Sequence, residues 1–309
     1  MITCAAPSPS IDRLFEVERL EPGEIHRPTR FVRVPGGKGL NTARAAAALG
    51  ADVRAVALLG GHGGRWIADE LERNGLPVVA SWAAGEMRSC LSVADAGSGS
   101  LTEFYEESAA VSAEEWDAFV RVAQEAAGSS DWLTVSGSLP PGAAAEGYEQ
   151  LCSVNAKVAV DTTALGAAQP ALVKVNAGEA ATLTELTVDS VAEAADAAHA
   201  LRLRVGGDGH AAAVTRGREG AVLVAPDGGA WYGSLDTSGR YAVGSGDAFL
   251  AGLVTGLDRG DDWPGALAAA LGAAAANAVV PGPGLLDAAL AHALAEQAVV
   301  EPVSAAQTR

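Results

Sequence analysis

The chain has 309 residues, of which 49% are hydrophobic and 19% are charged, and its formal net charge is −17. This composition is typical of a globular protein with a substantial core and excludes an intrinsically disordered chain. The negative charge would repel a polyanion, so we expect neither nucleic acid nor an acidic membrane surface among its partners.

The three cysteines and the N-terminal sequence indicate the cellular compartment of the protein. Cys4, Cys90 and Cys152 are isolated and odd in number, and they lack the close spacing of a zinc site. They are expected to be reduced thiols packed as small hydrophobic groups. The N-terminus lacks a basic segment followed by an apolar one, and every long alanine-rich stretch is interrupted by charge or is amphipathic. These features predict a cytoplasmic protein.

The first predicted element is an antiparallel ribbon at 13–34, where residues such as Leu14 and Glu16 alternate in polarity. A second ribbon is predicted at 88–106. Ribbons inserted into an α/β body cover a site as a lid or form a homodimer contact, and the pattern does not choose between these roles.

A glycine-rich loop and a helix follow the first ribbon in VPGGKGLNTARAAAALG (34–50). Lys38 stands at the predicted helix start, an unfavourable place for a cation unless an anion or acidic group is near. A bound phosphate would satisfy it, although a solvated surface lysine is the commoner situation. The spacing matches neither a Walker A loop nor a dinucleotide-binding fingerprint.

Most of the remaining chain alternates short apolar segments with helical patterns. The predicted buried strands are 53–59, 132–136, 157–161, 172–175, 211–215 and 221–225. Helices are predicted near 144–154 and at 191–204, the second ending at Gly206 and Gly207. This rhythm predicts an α/β fold over 1–309 as a single domain, with a mostly parallel sheet and helices on both faces.

The run VGSGDAF (243–249) opens the next predicted helix. Free N–H groups and the helix dipole make such a start an anion site, and glycines let a phosphate approach the backbone. Asp247 in the first turn is placed to act as a base for a hydroxyl. Taken alone, an ordinary helix cap explains Asp247 equally well.

Together, GGKGLNTA and VGSGDAF resemble the paired signatures of the ribokinase-like, PfkB-type carbohydrate kinases, and the resemblance runs nearly end to end. SGSLPPG (136–142) is similar to the branch with 1-phosphofructokinase, tagatose-6-phosphate kinase and the minor 6-phosphofructokinase. The resemblance implies a ribokinase-like three-layer α/β/α fold, a small β-ribbon lid formed by 13–34 and 88–106, and the use of ATP and Mg²⁺.

The resemblance assigns roles to residues around the transferred phosphate and to residues that bind the acceptor sugar. It implies a catalytic base at Asp247 beside an anion hole. The anion-hole residues are Gly244, Ser245 and Gly246. The implied sugar-pocket residues are Asp12, Gly37, Lys38, Asn41 and Ser138. Arg88, assisted by Arg27, would bind a phosphate already carried by the acceptor. Without the resemblance, Asp12 reads as a turn or capping residue and the arginines as surface residues.

On the nucleotide side, Asn176 and Glu179 match a family run that acts near magnesium, largely through water. Thr215, Gly217 and Gly220 match a turn that contacts nucleotide phosphates and ribose. Asn277 is a candidate for a position near the adenine, and capping or packing within an alanine-rich helix is the alternative that its surroundings favour.

Several residues depart from the family pattern. Cys90 stands where the branch has an asparagine, Ser8 where it has the asparagine of an Asn-Pro pair, Val175 where it has proline, and Arg216 where it has an apolar residue. The expected reaction is transfer of the ATP γ-phosphate to a hydroxyl of fructose 1-phosphate, tagatose 6-phosphate or fructose 6-phosphate. The alternatives are a kinase of an unphosphorylated sugar or nucleoside, and a non-catalytic sugar-phosphate sensor.

Overall fold

The computed structural model describes residues 1–237 and 239–303. The strands are β1 (Ile2–Ala6), β2 (Ser10–Val17), β3 (Arg30–Gly36), β4 (Val53–Gly60), β5 (Val78–Ala83), β6 (Arg88–Asp95), β7 (Leu101–Tyr105), β8 (Trp132–Ser136), β9 (Lys157–Asp161), β10 (Leu172–Asn176), β11 (Ala211–Thr215), β12 (Ala221–Val224), β13 (Ala230–Ser234) and β14 (Val299–Pro302). The α-helices are α1 (Lys38–Ala48), α2 (Gly61–Arg73), α3 (Ala113–Ala127), α4 (Gly147–Cys152), α5 (Ala177–Thr184), α6 (Val191–Arg204), α7 (Ser245–Arg259), α8 (Trp263–Ala278) and α9 (Ala288–Ala295).

The large sheet has the strand order β14-β13-β12-β11-β10-β9-β8-β1-β4-β5. The strands from β11 to β5 in this order run parallel, and β12, β13 and β14 add an antiparallel edge. The carboxyl ends of the parallel strands therefore meet at one edge. Ser136 pairs there with Asp161, and Asn176 pairs with Thr215. Ligands of such sheets bind outside this edge.

Each face of the large sheet is buried under helices, which makes the three-layer α/β arrangement. Along β4, Ala55 and Ala57 belong to one core while Val56 and Leu58 belong to the other, following the two-residue period of a strand. The first core receives side chains from α1, α2, α7 and α8, and the second from α3, α4 and α6. Both faces of the strands are therefore apolar, as parallel sheets require.

A second sheet has the strand order β3-β2-β6-β7. β2 and β3 form one antiparallel hairpin, β6 and β7 form another, and a parallel pairing of β2 with β6 joins the two. The two ribbons predicted from sequence are thus confirmed, and they form one sheet. The first begins at Ser10 rather than residue 13, which places Asp12 within a strand and not in a turn.

The predicted strands of the body agree with the structure to within one residue at either end. The helix predicted near 144–154 is shorter, Gly147–Cys152. The residues between the two prolines at 140 and 141 and the start of this helix form turns instead. Within residues 1–237 and 239–303, no helix combines the length and the apolar character that a membrane span needs.

Candidate active site

A cleft of about 770 Å³ is lined by residues from the small sheet and from the carboxyl ends of the parallel strands. It collects all the predicted site residues except Arg27 and Asn277. Those that line it are Asp12, Gly37, Lys38, Asn41, Arg88, Ser138, Asn176, Glu179, Thr215, Gly217, Gly220, Gly244, Ser245, Gly246 and Asp247. Motifs more than two hundred residues apart therefore face one cavity.

The start of α7 forms one wall of the cleft and has no side-chain cap. Its N-cap residue is Gly244, whose φ of 80° lies in the left-handed region that favours glycine. A Cβ there would lie only 2.7 Å from Pro283 Cα. The first-turn N–H groups of Gly246 and Asp247 have no acceptor within the helix. An anion placed here would be bound by backbone donors and by the helix dipole.

Asp247 does not cap its helix. Its side chain is 6% exposed, and its Oδ2 accepts a hydrogen bond of 2.8 Å from Asn41 Nδ2 on α1. Burial, reinforced by the negative charge of Asp161, raises the pKa of Asp247 to about 7, although Asn41 and two lysines pull it down. A carboxyl with this pKa takes up a proton readily near neutral pH, as a general base must.

A cluster of two lysines and two carboxylates lies beside Asp247. Lys38 Nζ is 3.0 Å from Asp161 Oδ1 and 3.4 Å from Glu179 Oε1, while Lys174 Nζ is 2.8 Å from Asp161 Oδ2. A Cβ built on Gly246 would lie 2.8 Å from Lys174 Nζ. The ammonium group of Lys174 is therefore directly against the uncapped turn of α7, where an anion would bind.

Within this cluster, the charges around Asp161 and Lys38 favour the ionised forms of these two side chains. Burial alone would raise the pKa of Asp161, but Lys174 and Lys38 more than offset it and the pKa is lowered. Burial likewise lowers the pKa of Lys38, and the carboxylates, Asp161 above all, reverse this and raise it. Lys38 therefore presents positive charge to the cleft.

The opposite end of the cleft is formed by the small sheet. Asp12 accepts hydrogen bonds from Ser10 Oγ at 2.5 Å and from the Gly37 N–H at 3.4 Å, and burial raises its pKa. Cys90 pairs with Asp12 across neighbouring strands. Arg88 Nη2 donates to the Ser8 carbonyl at 3.2 Å, and its buried Nε has no partner in the described part of the chain. This end therefore offers a carboxylate for hydroxyl groups and a guanidinium for an anion.

The whole arrangement can be compared with known proteins. Residues 8–288 match the model of the pfkB family of carbohydrate kinases. The chain belongs to this family. Family membership makes the chain a carbohydrate kinase and implies a sugar and ATP as substrates.

Three relatives illustrate the match. A 1-phosphofructokinase from Haloferax volcanii is 32% identical over 266 residues, which is 84% of this chain and 85% of the relative. Phosphofructokinase-2 from Escherichia coli, solved with potassium, has a TM-score of 0.86 at 24% identity, covering 96% of this chain and 98% of that one. Ribokinase from Arabidopsis thaliana, solved with ribose and ATP, has a TM-score of 0.70 at 17% identity, with 96% and 98% covered. The two structures share the fold.

The predicted nucleotide side of this pfkB kinase lies at the ends of β10 and β11. Asn176 and Glu179 form a capping box at the start of α5, each accepting the other's backbone N–H at 2.9 Å. Thr215, Gly217 and Gly220 line the cleft at the following turn. Arg216, which departs from the family pattern, points away, and its Nη2 donates to the Asp189 carbonyl at 2.7 Å.

Asn277 does not reach the cleft of the kinase. Its side chain is completely buried; Nδ2 donates to the Val243 carbonyl at 2.9 Å, and Oδ1 accepts from the Gly284 N–H at 2.8 Å. The predicted position near the adenine is therefore replaced by the packing alternative. Asn277 ties the residue before the α7 turn to the loop behind it.

Arg27 is also outside the cleft. It lies in the exposed loop between β2 and β3 and does not line the cavity of its own chain. Assistance to Arg88 from Arg27 is consequently not available within one chain.

Sequence reasoning missed Asp161, Lys174 and Arg44. Asp161 ends a buried strand at the ligand-binding edge, and this position was itself a signal. Lys174 is a charged residue inside an apolar strand, which is rare unless the charge is paired. Arg44, in the helix after the GGKG loop, gave no such signal, because its neighbours along the chain do not reveal what covers it.

Metal ligands are sparse in this kinase. In the described ranges, no group of three or more His, Cys, Asp and Glu side chains is arranged to hold a metal ion. Glu179 presents a partly exposed carboxylate to the cleft, with 24% of its side chain accessible. A metal held mainly by nucleotide phosphates and water would need only such a carboxylate.

Proposed function

We propose that this protein is an ATP- and Mg²⁺-dependent kinase that phosphorylates a hydroxyl of a phosphoketohexose of the fructose 1-phosphate, tagatose 6-phosphate or fructose 6-phosphate type. The observation that carries the proposal is the buried Asp247, with its raised pKa, next to the uncapped start of α7 and the ammonium of Lys174. The 32% identity to a 1-phosphofructokinase favours fructose 1-phosphate among these acceptors.

In the proposed reaction, Asp247 accepts the proton of the acceptor hydroxyl as its oxygen forms a bond to the γ-phosphorus. The bond between that phosphorus and the bridging β-oxygen breaks, and ADP leaves with the electron pair. A pKa of about 7 suits this role, because Asp247 is ionised before the transfer and stable as a neutral acid after it.

The transferred phosphoryl group would rest on the N–H groups of Gly246 and Asp247, with Lys174 and Lys38 neutralising its charge. Asp161 holds both ammonium groups in place at 2.8 and 3.0 Å. This assignment moves Lys38 from the sugar pocket to the phosphate in transit, because its partners Asp161 and Glu179 lie on the proposed nucleotide side.

Recognition of the acceptor is assigned to the small sheet. Asp12 would accept hydrogen bonds from sugar hydroxyls, and Arg88 would bind the phosphate already present. Arg88 is suited to this because its Nη2 donates to the Ser8 carbonyl while its Nε has no hydrogen-bond partner among the described residues. We also propose that the small sheet acts as a lid.

The residues present fit a magnesium ion that arrives with the nucleotide. Glu179, together with Asn176, would bind such an ion through water, and Lys38 Nζ lies 3.4 Å from the Glu179 carboxylate. When bound, Mg²⁺ would neutralise the β- and γ-phosphate oxygens.

A homodimer formed through the outer surface of the small sheet is a further part of the proposal. Phe31 and Phe104 are 57% and 58% exposed on this sheet, and Phe31 packs against Phe15 with the ring planes tilted by 58° and the centroids 5.5 Å apart. Exposed aromatic clusters of this kind favour a protein interface. Sedimentation of wild type and Phe31→Asp tests it: an unchanged mass would contradict the dimer.

The reaction is tested by ADP release over an acceptor panel of fructose 1-phosphate, fructose 6-phosphate, tagatose 6-phosphate, fructose, ribose and a nucleoside. We expect turnover with one or more phosphoketohexoses, and loss of about 10²- to 10⁴-fold in kcat for Asp247→Asn. Turnover confined to the unphosphorylated acceptors would overturn the phosphosugar assignment.

Asp258→Asn is the matched control, since Asp258 lies near the other end of α7, 3.5 Å from the N-terminal amine and away from the cleft. It should retain full activity. Binding of a phosphosugar without any Asp247-dependent turnover would show a sensor rather than an enzyme.

A further inference from the structure

Arg44 is a half-buried arginine that the reaction described above does not use. It lies on α1, three residues after Asn41. Its Nε and Nη1 are buried without a hydrogen-bond partner in residues 1–237 and 239–303. Desolvating a guanidinium is expensive unless its charge is compensated. Burial lowers the pKa of Arg44 to about 10, while the carboxylates of Asp12 and Asp247 favour its charged form.

One nitrogen of Arg44 makes two contacts. Nη2 donates to Asn41 Oδ1 at 2.8 Å and to the Pro283 carbonyl at 2.5 Å. The first contact sets the orientation of the Asn41 amide. A guanidinium has only hydrogen-bond donors, so its partner in the amide must be the oxygen. The amide nitrogen must then point the other way.

The amide nitrogen of Asn41 points at Asp247, with Nδ2 2.8 Å from Oδ2. With the opposite orientation, two donors would face each other at Arg44 and two acceptors at Asp247. A hydrogen bond donated to a carboxylate favours its ionised form. Arg44 therefore acts on Asp247 through Asn41, in addition to the direct attraction between the two charges.

The second contact of Arg44 holds the loop behind the α7 turn. A Cβ on Gly284 would lie 2.6 Å from the Asn41 carbonyl, and a Cβ on Gly244 would lie 2.7 Å from the Gly284 nitrogen. The chain at Pro283 and Gly284 is thus wedged between α1 and the anion-binding turn. The hydrogen bond from Arg44 to the Pro283 carbonyl therefore keeps α1 and the α7 turn in a fixed relative position.

We propose that Arg44 is a positioning residue that orients Asn41 toward Asp247 and clamps Pro283 against the α7 turn, so that base and anion site keep one geometry. This inference rests on the proposed function, because the geometry matters for phosphoryl transfer. The other charged groups that face Asp247 are Asp161, Lys174 and Lys38. Their own contacts do not involve Arg44. Their effect on Asp247 should therefore be the same in wild type and in the Arg44 variants.

The first test needs no turnover. The carboxyl ¹³C signal of Asp247, identified as the one lost in Asp247→Asn, is titrated in wild type, Arg44→Met and Arg202→Met. Arg202 is the matched control: it is 6% exposed and donates to the carbonyls of Pro226 and His210, far from the cleft lining. We expect the pKa of Asp247 to rise by about 1 unit in Arg44→Met and to stay unchanged in Arg202→Met.

The second test uses kinetics with the best acceptor of the panel. Arg44→Met should lower kcat at least tenfold with the KM for ATP within twofold of wild type. In an Asn41→Ala background the same change should cost much less, because a residue that acts through Asn41 gives a non-additive cycle. Fully additive losses, or an unchanged Asp247 pKa, would overturn the inference.

Arg44→Lys keeps the proposal testable if Arg44→Met does not fold. A lysine keeps the charge, but its single ammonium cannot reproduce the fork that holds Asn41 and Pro283. We expect an intermediate kcat, and wild-type behaviour in both tests would refute the clamp. If no acceptor is phosphorylated and the Asp247 pKa still shifts, the proposed function fails while the positioning by Arg44 stands.

Discussion

Lys174 Nζ lies 2.8 Å from Asp161 Oδ2, in an ion pair whose side chains are 4% and 1% exposed. The other oxygen of Asp161 meets Lys38, so one buried carboxylate balances two ammonium groups at the start of α7. A buried ion pair is weak evidence for stability, because desolvation offsets much of the attraction. Its position against Gly246 gives it a functional meaning instead: it concentrates positive charge where the phosphate would pass.

Removal of Asp161 should be severe. Asp161→Asn leaves the buried Lys174 without its counter-charge, and breaking a buried pair in this way costs about 3–5 kcal/mol. Urea denaturation of wild type and variant measures the free energy of unfolding. Asp208→Asn is the control, because the Asp208 side chain that pairs with Arg202 is fully exposed and such pairs contribute at most about 1 kcal/mol. Equal losses in the two variants would contradict the importance of burial.

Asp247→Asn should stabilise the protein while it removes activity. The pKa of Asp247 is about 7 in the folded chain, raised chiefly by burial, against an ordinary value of 3.8. Between these values the folded state binds more protons than the unfolded state, so this group lowers stability as pH rises from about 4 to about 7.

The variant should therefore gain stability relative to wild type across that window, by about 2–4 kcal/mol above pH 7. Urea denaturation at pH 5 and pH 8 measures the difference. A gain that is the same at both pH values would mean that the Asp247 pKa is not raised by folding.

The rate should depend on the ionised form of Asp247. Because its pKa is about 7, kcat/KM for the acceptor should fall about tenfold per pH unit below that value. A pH–rate profile between pH 5 and 9 shows the midpoint. The residual activity of Asp247→Asn should not show this fall in kcat/KM at acidic pH. If the fall persists in the variant, the group that titrates is not Asp247.

Arg88→Ala should separate phosphorylated from neutral acceptors. Loss of a charge-assisted contact should raise KM for a phosphoketohexose about 10- to 100-fold with a smaller effect on kcat. Fructose, which lacks the phosphate, should be nearly unaffected. Arg73→Ala on the exposed end of α2, where Arg73 pairs with Glu70, is the control. A parallel rise in KM for both acceptors would contradict the assignment.

Local patterns were sufficient for most of the fold. Apolar segments such as 132–136 and 157–161 predicted their strands because burial on both faces leaves a continuous apolar run. The edge strands β13 and β14 were not predicted, because their half-exposed residues, Ala230–Ser234 and Val299–Pro302, form no such run. The ribbons were predicted as separate hairpins, since their union depends on a pairing between β2 and β6 that no local signal encodes.

The candidate site divides in the same way. Residues in glycine-rich loops at helix starts, such as Lys38 and Asp247, could be named from the chain alone, because an uncapped helix start carries its anion-binding character locally. The contact between Asn41 and Asp247, 206 residues apart, could not, and neither could the exclusion of Arg27 and Asn277 from the cleft. These depend on which strand ends and loops the topology brings together, and burial then decides whether a charge becomes a base, a counter-charge or a clamp.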